Sequence, residues 1–546
     1  MMARPRDPRD PATPRPCRPR DGSHLRLAAA APKVIVLLAL AALIAAPLAL
    51  RPSAPRVTGA ARLVIITPHG EATRSEFARA FQAWAARERS LNVEFDWRTP
   101  GGTSEIQSYL RGRYRSAFAV RFPTLPSAGI LSDSSTKAAD LTARAAFLAS
   151  DCAADDVDLF WGGGEFPHRQ FANEGIAVDA GIAALEPDWF RDEVMPQSLS
   201  GETVWDAKGR YYGTCFSTFV LIWSPDRLAL LADPQPPAAW ADLAAPRFLG
   251  QLTIADPNRS AAVVSTLERL LQERMAAALA TDPTATEAAL AQGWAEGFAI
   301  IKGIAGNSRW VTDGASKAVR DVVRGDATAG MAIDFHARAE AEWSAQESGG
   351  PARLAWAAPA GGTSVSADPI CLLRGAPHRT LAVDFIRFVL SPAGQRLWNY
   401  RVGAPAGPTR WQLRRLPVRR DVYTDADRAL MTDPSEDPFA LATSFTYRPG
   451  WTVPVRALIG PLVKAVCLDP RAELELAWRA ILKAGGPAAV PAAWAEFIWM
   501  PAPYGELPTL TSKLKDAATS LPLLRGWTTE ATRHYRLATE LAQEGR

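Results

Sequence analysis

Cysteine is scarce in this chain: five residues in 546, at positions 17, 152, 215, 371 and 467. No two stand in a C-x-x-C pair, so neither a zinc ribbon nor a thioredoxin-type redox motif is present. An oxidising compartment permits disulfides, but Cys152, Cys215, Cys371 and Cys467 are so widely spaced that they read as isolated small core residues. Charge of one sign is lacking too. Lys and Arg number 61 against 57 Asp and Glu, and the net +4 is concentrated at the amino end. No large basic face is implied, and no nucleic-acid partner is expected. G-x-S-x-G, H-E-x-x-H and a phosphate loop ending in Gly-Lys-Ser/Thr are all absent. The signatures of serine hydrolases, zincins and P-loop nucleotide enzymes are therefore missing.

What is there is an ordinary folded composition, 48% hydrophobic and 22% charged, in a chain long enough for two or three globular units. The first 33 residues hold Arg4, Arg6, Arg9, Arg15, Arg18, Arg20, Arg26 and Lys33 against three aspartates. They lead into the uncharged run Val34–Leu50, at the short end of membrane-spanning length. Cations before an apolar run predict export of the rest of the chain. Thr58-Gly59-Ala60, the best cleavage site, lies far downstream, so an uncleaved anchor is favoured over a signal peptide. No cysteine stands just after the run to carry a lipid.

Beyond a Pro-rich tether the fold signals come in order. Leu63–Ile66 reads as a buried strand, and Thr67-Pro-His-Gly70 as its loop. Thr73 and Glu76 form a capping-box pattern ahead of Phe77, Phe81 and Trp84 on one helix face. Asn92–Arg98 alternates as a strand, and Ser104 with Gln107 repeats the capping pattern. Strand–helix–strand–helix with short loops predicts a parallel sheet with covering helices. Arg111–Ala154 reads as an insertion on the surface. Asp156–Trp161 resumes the sheet and ends at Gly162-Gly-Gly-Glu165. The stretch around which the chain is organised is Gly209–Ser224, an aromatic and β-branched run between glycines and Ser-Pro-Asp, expected to be one buried strand.

Further on come Pro236-Pro-Ala-Ala-Trp-Ala-Asp-Leu243 and Phe248–Asp256. Helices are expected near Ala262–Ala280, Thr286–Ile301 and Ala315–Arg324, with a strand Ala327–Ile333 ending in Asp334-Phe-His336. Then come Ile370–His378, the helical run Ala382–Leu390, Ser391-Pro-Ala-Gly-Gln-Arg-Leu397 and Arg415-Leu-Pro-Val-Arg419. Together these passages resemble the solute-binding proteins of ATP-driven (ABC-type) bacterial importers, from about Leu63 to Val422. The resemblance implies an α/β chain with the two-lobed periplasmic binding protein type II fold. It does not explain Thr424–Arg546, whose apolar helical runs Ala457–Cys467, Leu474–Leu482 and Trp494–Trp499 read as an appended, mainly helical segment. On this reading 1–60 is arm, membrane segment and tether, and 61–213 the first part of lobe 1. Lobe 2 is 214–358, the return crossing and second part of lobe 1 are 359–423, and the extension is 424–546.

In an open α/β sheet the ligand lies beyond the carboxyl ends of the strands. That rule selects His69, then Gly101, Gly102, Thr103 and Ser104, where a helix start offers unpaired N–H groups to an anion. It also selects Trp161, Gly162 and Glu165. The resemblance adds Ser308, Asp334 and His336 from lobe 2. It is nearest to the ferric-ion-binding branch, where a His, a carboxylate and a Tyr-Tyr pair hold the metal. Here His69 and Glu165 stand near the first two positions, but Phe335-His336 occupies the place of the tyrosines, and Tyr211-Tyr212 lies elsewhere. Phenolate is the hard donor suited to ferric ion. The reading is therefore an extracytoplasmic importer component that takes a small anionic solute, or a metal complex, without changing it. It needs no cofactor, and its partners are a membrane permease and, through the amino-terminal segment, the membrane. A membrane-anchored ligand sensor and an exported metal-dependent hydrolase using His69, Glu165 and His336 are the alternatives.

Overall fold

A computed structural model describes residues 60–546 apart from 133, 134, 285 and 515. The basic arm, the apolar run and most of the tether lie outside the described residues. The first strand, β1 (Ala61–Ile66), is followed by α1 (Glu71–Arg89), β2 (Val93–Arg98), α2 (Thr103–Arg121), α3 (Ala138–Ala149), β3 (Leu159–Trp161) and α4 (Glu165–Glu174). Leu63, Val64, Ile65 and Ile66 are completely buried, because both faces of the strand are covered. Leu63 and Ile65 join a core with Phe77, Phe81 and Phe385, while Val64 and Ile66 join another with Ile106, Tyr114 and Phe118.

Two expected helix starts differ from the capping-box pattern. Both α1 and α2 begin behind a glycine, Gly70 and Gly102, with no side-chain cap. Glu76 is drawn away instead by three backbone N–H groups of another segment, those of Thr409, Arg410 and Trp411 at 2.6–2.9 Å. The stretch read as a surface insertion is largely helical. α2 runs on to Arg121, and α3 buries Phe147 edge-on against Tyr114 at 5.8 Å.

After β4 (Ala177–Val178) and the hairpin of β5 (Ser198–Leu199) and β6 (Glu202–Thr203), the long apolar run forms two strands rather than one. β7 (Tyr212–Ser217) belongs to the first sheet and β8 (Phe219–Trp223) to the second. The break falls at Thr218. Its hydroxyl meets Thr363 Oγ1 and the Ser364 carbonyl, each at 3.0 Å, and Phe219 N–H donates to Thr363 Oγ1 at 3.1 Å. Side-chain bonds between two crossing segments thus replace a ladder at the joint.

Lobe 2 contains β9 (Leu252–Ala255), α5 (Ala261–Thr281), α6 (Thr286–Asn307), β10 (Ser308–Thr312), α7 (Ala315–Val323), β11 (Ala329–Ile333), α8 (Asp334–Ser348) and β12 (Ala355–Ala357). The chain then returns through β13 (Ser366–Leu373), α9 (Arg379–Leu390) and β14 (Leu416–Pro417). The first sheet has the order β14-β7-β13-β3-β1-β2, with β4 on β13, and the second β10-β9-β11-β8-β12. Both are mixed. β1 is parallel to β2 and β3, but β13 is antiparallel to β3 and β7, and β8 is antiparallel to β11 and β12.

These registers fix one edge of each sheet. In the first, the carboxyl ends of β1, β3 and β7 line up with the amino ends of β13 and β14. In the second, the carboxyl ends of β9, β10 and β11 line up with the amino end of β8. Because β7 runs directly into β8 through Thr218, the two edges face the same joint.

The carboxy-terminal segment divides between the lobes. Residues up to about Phe445 stay with lobe 1: Tyr423 packs on Phe439, and Phe439 on Phe216, each pair 5.7 Å apart. From Tyr447 on, the segment completes lobe 2. The helices α10 (Arg456–Val463), α11 (Arg471–Lys483), α12 (Pro491–Phe497) and α13 (Ala517–Gln543) share one core with α5 and α6. The stretch Pro449–Leu468 is long and apolar enough to cross a membrane, but most of it is buried. All four cysteines among the described residues are buried and unpaired.

Candidate functional site

The three loops of lobe 1 chosen from strand ends do converge. Thr67 Oγ1 donates to the Trp161 carbonyl at 2.7 Å, tying the loop after β1 to the loop after β3. A Cβ on Gly162 would lie 2.8 Å from the His69 ring, and one on Gly163 2.8 Å from Thr103 Oγ1. Both glycines have positive φ, +92° and +93°, so the loop needs glycine for its backbone as well as for space. His69, Thr103, Gly162 and Gly163 are thus neighbours around one point.

A buried carboxylate that sequence reading missed sits at that point. Asp368, in β13, accepts from His69 Nε2 at 3.0 Å and Gly164 N–H at 2.9 Å, and pairs with Arg415 at 2.5 Å. Burial works to raise its pKa, but Arg415, His69 and the Gly164 N–H outweigh it and hold the carboxyl far below its usual range. Its oxygens therefore only accept. Burial lowers the pKa of His69, with the bond to Asp368 opposing, so the ring is neutral near pH 7 and carries its hydrogen on Nε2.

Arg415, just before β14, spends one nitrogen on Asp368 and on Cys215 Sγ. Its guanidinium stacks on Phe335 of lobe 2 at 3.9 Å. Phe335 in turn packs on His336, with ring centroids 4.2 Å apart. Burial lowers His336 to about 4, with the charges of Arg415 and Arg320 adding to it, so this imidazole is also neutral. The line His69–Asp368–Arg415–Phe335–His336 therefore runs from one lobe to the other. Arg74, one turn into α1, lies close enough for its charge to act on His69 and has no ion pair among the described residues.

Gly101, Gly102 and Ser104 are exposed around the start of α2, with Gly102 as its N-cap. Trp161 does not line an opening. It is fully buried, donates to Thr214 Oγ1 at 3.1 Å and supports His69 edge-on at 4.8 Å. Glu165 is turned away from His69, accepting from Tyr211 at 2.9 Å and pairing with Arg169, with burial raising its pKa. Ser308 lies at the opposite edge of the second sheet, because it pairs with Leu252 at the start of β9. Its hydroxyl donates back to the Ile304 carbonyl at 2.7 Å. Asp334 is buried in an ion pair with Arg338 at 3.0 Å and does not orient His336. No group of three His, Cys, Asp or Glu residues suited to a metal ion occurs among the described residues.

Residues 183–421 match the family model described as bacterial extracellular solute-binding protein. The phosphoglycerate transport regulatory protein PgtC of Salmonella typhimurium is 26% identical over 253 residues, 46% of this chain and 53% of PgtC. An uncharacterised protein of Haemophilus influenzae is 27% identical over 244 residues, 44% of this chain and 60% of that protein. The chain spans between about half and three fifths of the length of these curated relatives. Among solved structures, the periplasmic binding protein AfuA of Actinobacillus pleuropneumoniae, with fructose-6-phosphate bound, is similar at 18% identity. The match has a TM-score of 0.39 and covers 61% of this chain and 81% of AfuA. Apo ferric ion-binding protein A of Pasteurella haemolytica is similar at 13% identity and a TM-score of 0.44, over 74% and 96% of the two chains. The family match on 183–421 covers less than half of the chain and falls across both lobes and the joint between them.

Proposed function

We propose that the chain binds a small organic anion, a phosphate or carboxylate, between its lobes and releases it unchanged. The observation that carries this is the charge of the site. Arg415 is paired with Asp368, the nearby His69 and His336 are neutral, and Arg74 has no ion pair among the described residues. The Arg74 charge is therefore left without a partner. Helix starts behind Gly70 and Gly102 have no side-chain cap and add partial positive charge, with Glu71 and Glu105 in their first turns against it, and the start behind Gly164 already gives its N–H to Asp368. The Phe335 ring, where the ferric branch has a phenolate, supplies no oxygen to a metal, which favours the anion over ferric ion.

The name of PgtC makes phosphoglycerate the first solute to test, and its word "regulatory" favours a sensor as second reading. A permease partner in the membrane, an extracytoplasmic location and retention by the apolar segment 34–50 belong to the same proposal. Calorimetric titration of the full chain with 2- and 3-phosphoglycerate, sugar phosphates, dicarboxylates and ferric citrate tests it. Charge-assisted hydrogen bonds contribute about 1.5–3 kcal/mol, so Arg415→Gln and Arg74→Gln are each expected to weaken binding about ten- to a hundredfold. Binding of ferric citrate alone, unaffected by either change, overturns the reading.

A further inference from the structure

Two buried polar atoms at the amino end of α1 meet no partner: His69 Nδ1 and Arg74 Nε. His69 is 6% exposed, so water from bulk does not satisfy its ring. Such atoms are costly when left unpaired, and a pair of them beside a binding site points to what the site receives. Their roles are fixed by the neighbours. Asp368 takes the hydrogen on His69 Nε2, at 3.0 Å, which leaves Nδ1 with a lone pair and no hydrogen. Arg74 Nε always carries a hydrogen and only donates. The amino end of α1 therefore carries one unpaired acceptor and one unpaired donor, with the Arg74 charge close enough to act on the His69 ring. Arg74 forms no side-chain hydrogen bond or ion pair among the described residues, so its fork is also free toward a ligand.

A fully ionised phosphate or carboxylate oxygen satisfies Arg74 but has no hydrogen to give His69. A hydroxyl does both, accepting from Arg74 and donating to His69. We propose that His69 and Arg74 read a hydroxyl group on the bound anion, so that the solute is a hydroxylated phosphate or carboxylate rather than a bare oxyanion. This rests on the anion reading above and narrows it. His69 becomes the residue that determines specificity, with Asp368 as the positioning residue that holds its hydrogen on Nε2.

The test is a set of matched pairs titrated into the full chain: glycerol 3-phosphate against n-propyl phosphate, 3-phosphoglycerate against 3-phosphooxypropanoate, malate against succinate. Charge and length are the same within each pair, and only hydroxyl groups differ, two in the first pair and one in the others. In any pair with a binding member, the hydroxylated one is expected to bind at least about tenfold more tightly, because its absence leaves both buried atoms unpaired. His69→Phe, checked for folding by thermal unfolding, is expected to bring that ratio close to one. Equal affinity within a pair in the unaltered protein overturns the proposal and leaves anion binding standing, with a bridging water as the partner of the two atoms. If no member of any pair binds, the anion reading itself falls, and this inference with it.

Discussion

Gly162 shows how much of the site depends on the absence of one methyl group. Its φ of +92° is one that side-chain-bearing residues rarely adopt, and a Cβ there would press on the His69 ring at 2.8 Å. The ring is held on its other sides by Trp161 and Asp368, so it has little room to give. Gly162→Ala is therefore expected to cost about 1–3 kcal/mol of stability through backbone strain and to weaken solute binding by displacing His69. Chemical denaturation and calorimetry on the same sample check this, and unchanged values for both would show that the loop accommodates a side chain. His69, Thr103 and Gly162 were legible in the sequence because strand ends and glycine loops are local signals. Asp368 and Arg415 were not. Each gains its role from partners 47 to 299 positions away, and the passage Arg415-Leu-Pro-Val-Arg419 gives no sign of what its first residue faces. Ser308 was misplaced because a small polar residue after a helix reads as a loop, whereas here it starts a strand at the far edge of its sheet.

At the scale of elements, α5 and α6 pack unusually closely, and the sequence says why. Gly293 and Gly297 lie on the face of α6 that meets α5, and a Cβ on Gly293 would come within 2.3 Å of the Met275 backbone. Gly306 faces Trp478 of α11 in the same way, at 2.6 Å. Two effects compete at Gly293. Alanine in a helix interior gains about 1 kcal/mol over glycine from propensity. Overpacking against backbone, which cannot rotate aside, costs about 1–3 kcal/mol. The second is the larger here, so Gly293→Ala is expected to lower the melting temperature by several degrees; a rise would mean that the helices part without penalty. The helices themselves were legible from their apolar spacing, as those of the extension were. Which surface the extension covers was not, since the apolar faces of α11, α12 and α13 fit any large apolar partner equally well. The answer lies in paired details such as Trp478 Nε1 donating to Asn307 at 2.8 Å, and Lys302 Nζ to the Phe497 carbonyl at 3.0 Å. Lys302 is fully buried, and burial brings it down to about 8.

Over the whole molecule, the passage between the lobes is made three times, near Thr218, near Ser364 and near Phe445–Tyr447. Two lobes joined only by such crossings can rotate about them, so whatever ties the crossings together limits the motion. Here they meet in a buried cluster of charges. Glu202 of lobe 1 pairs with Arg269 of lobe 2, whose Nε also donates to Ser364 at 2.9 Å. Arg269 pairs with Glu268 at 3.1 Å, and Glu268 accepts from Tyr447 at 2.7 Å and pairs with Arg456 of the extension. Two carboxylates and two guanidiniums neutralise one another out of water, where one left without its partner is far more costly than the pair is stabilising. Glu202→Ala, which strands part of the charge on Arg269, is therefore expected to destabilise the full chain by about 3–5 kcal/mol in urea denaturation. Replacing Glu202 with Gln, which keeps the size and an acceptor oxygen but not the charge, should cost less than the alanine change. Lobe 1 with the residues up to Phe445 and lobe 2 with those from Tyr447 would then move as two bodies about this cluster. A loss of under about 1 kcal/mol for Glu202→Ala would place the cluster in contact with water, within the range of exposed ion pairs, and leave the crossings free of one another.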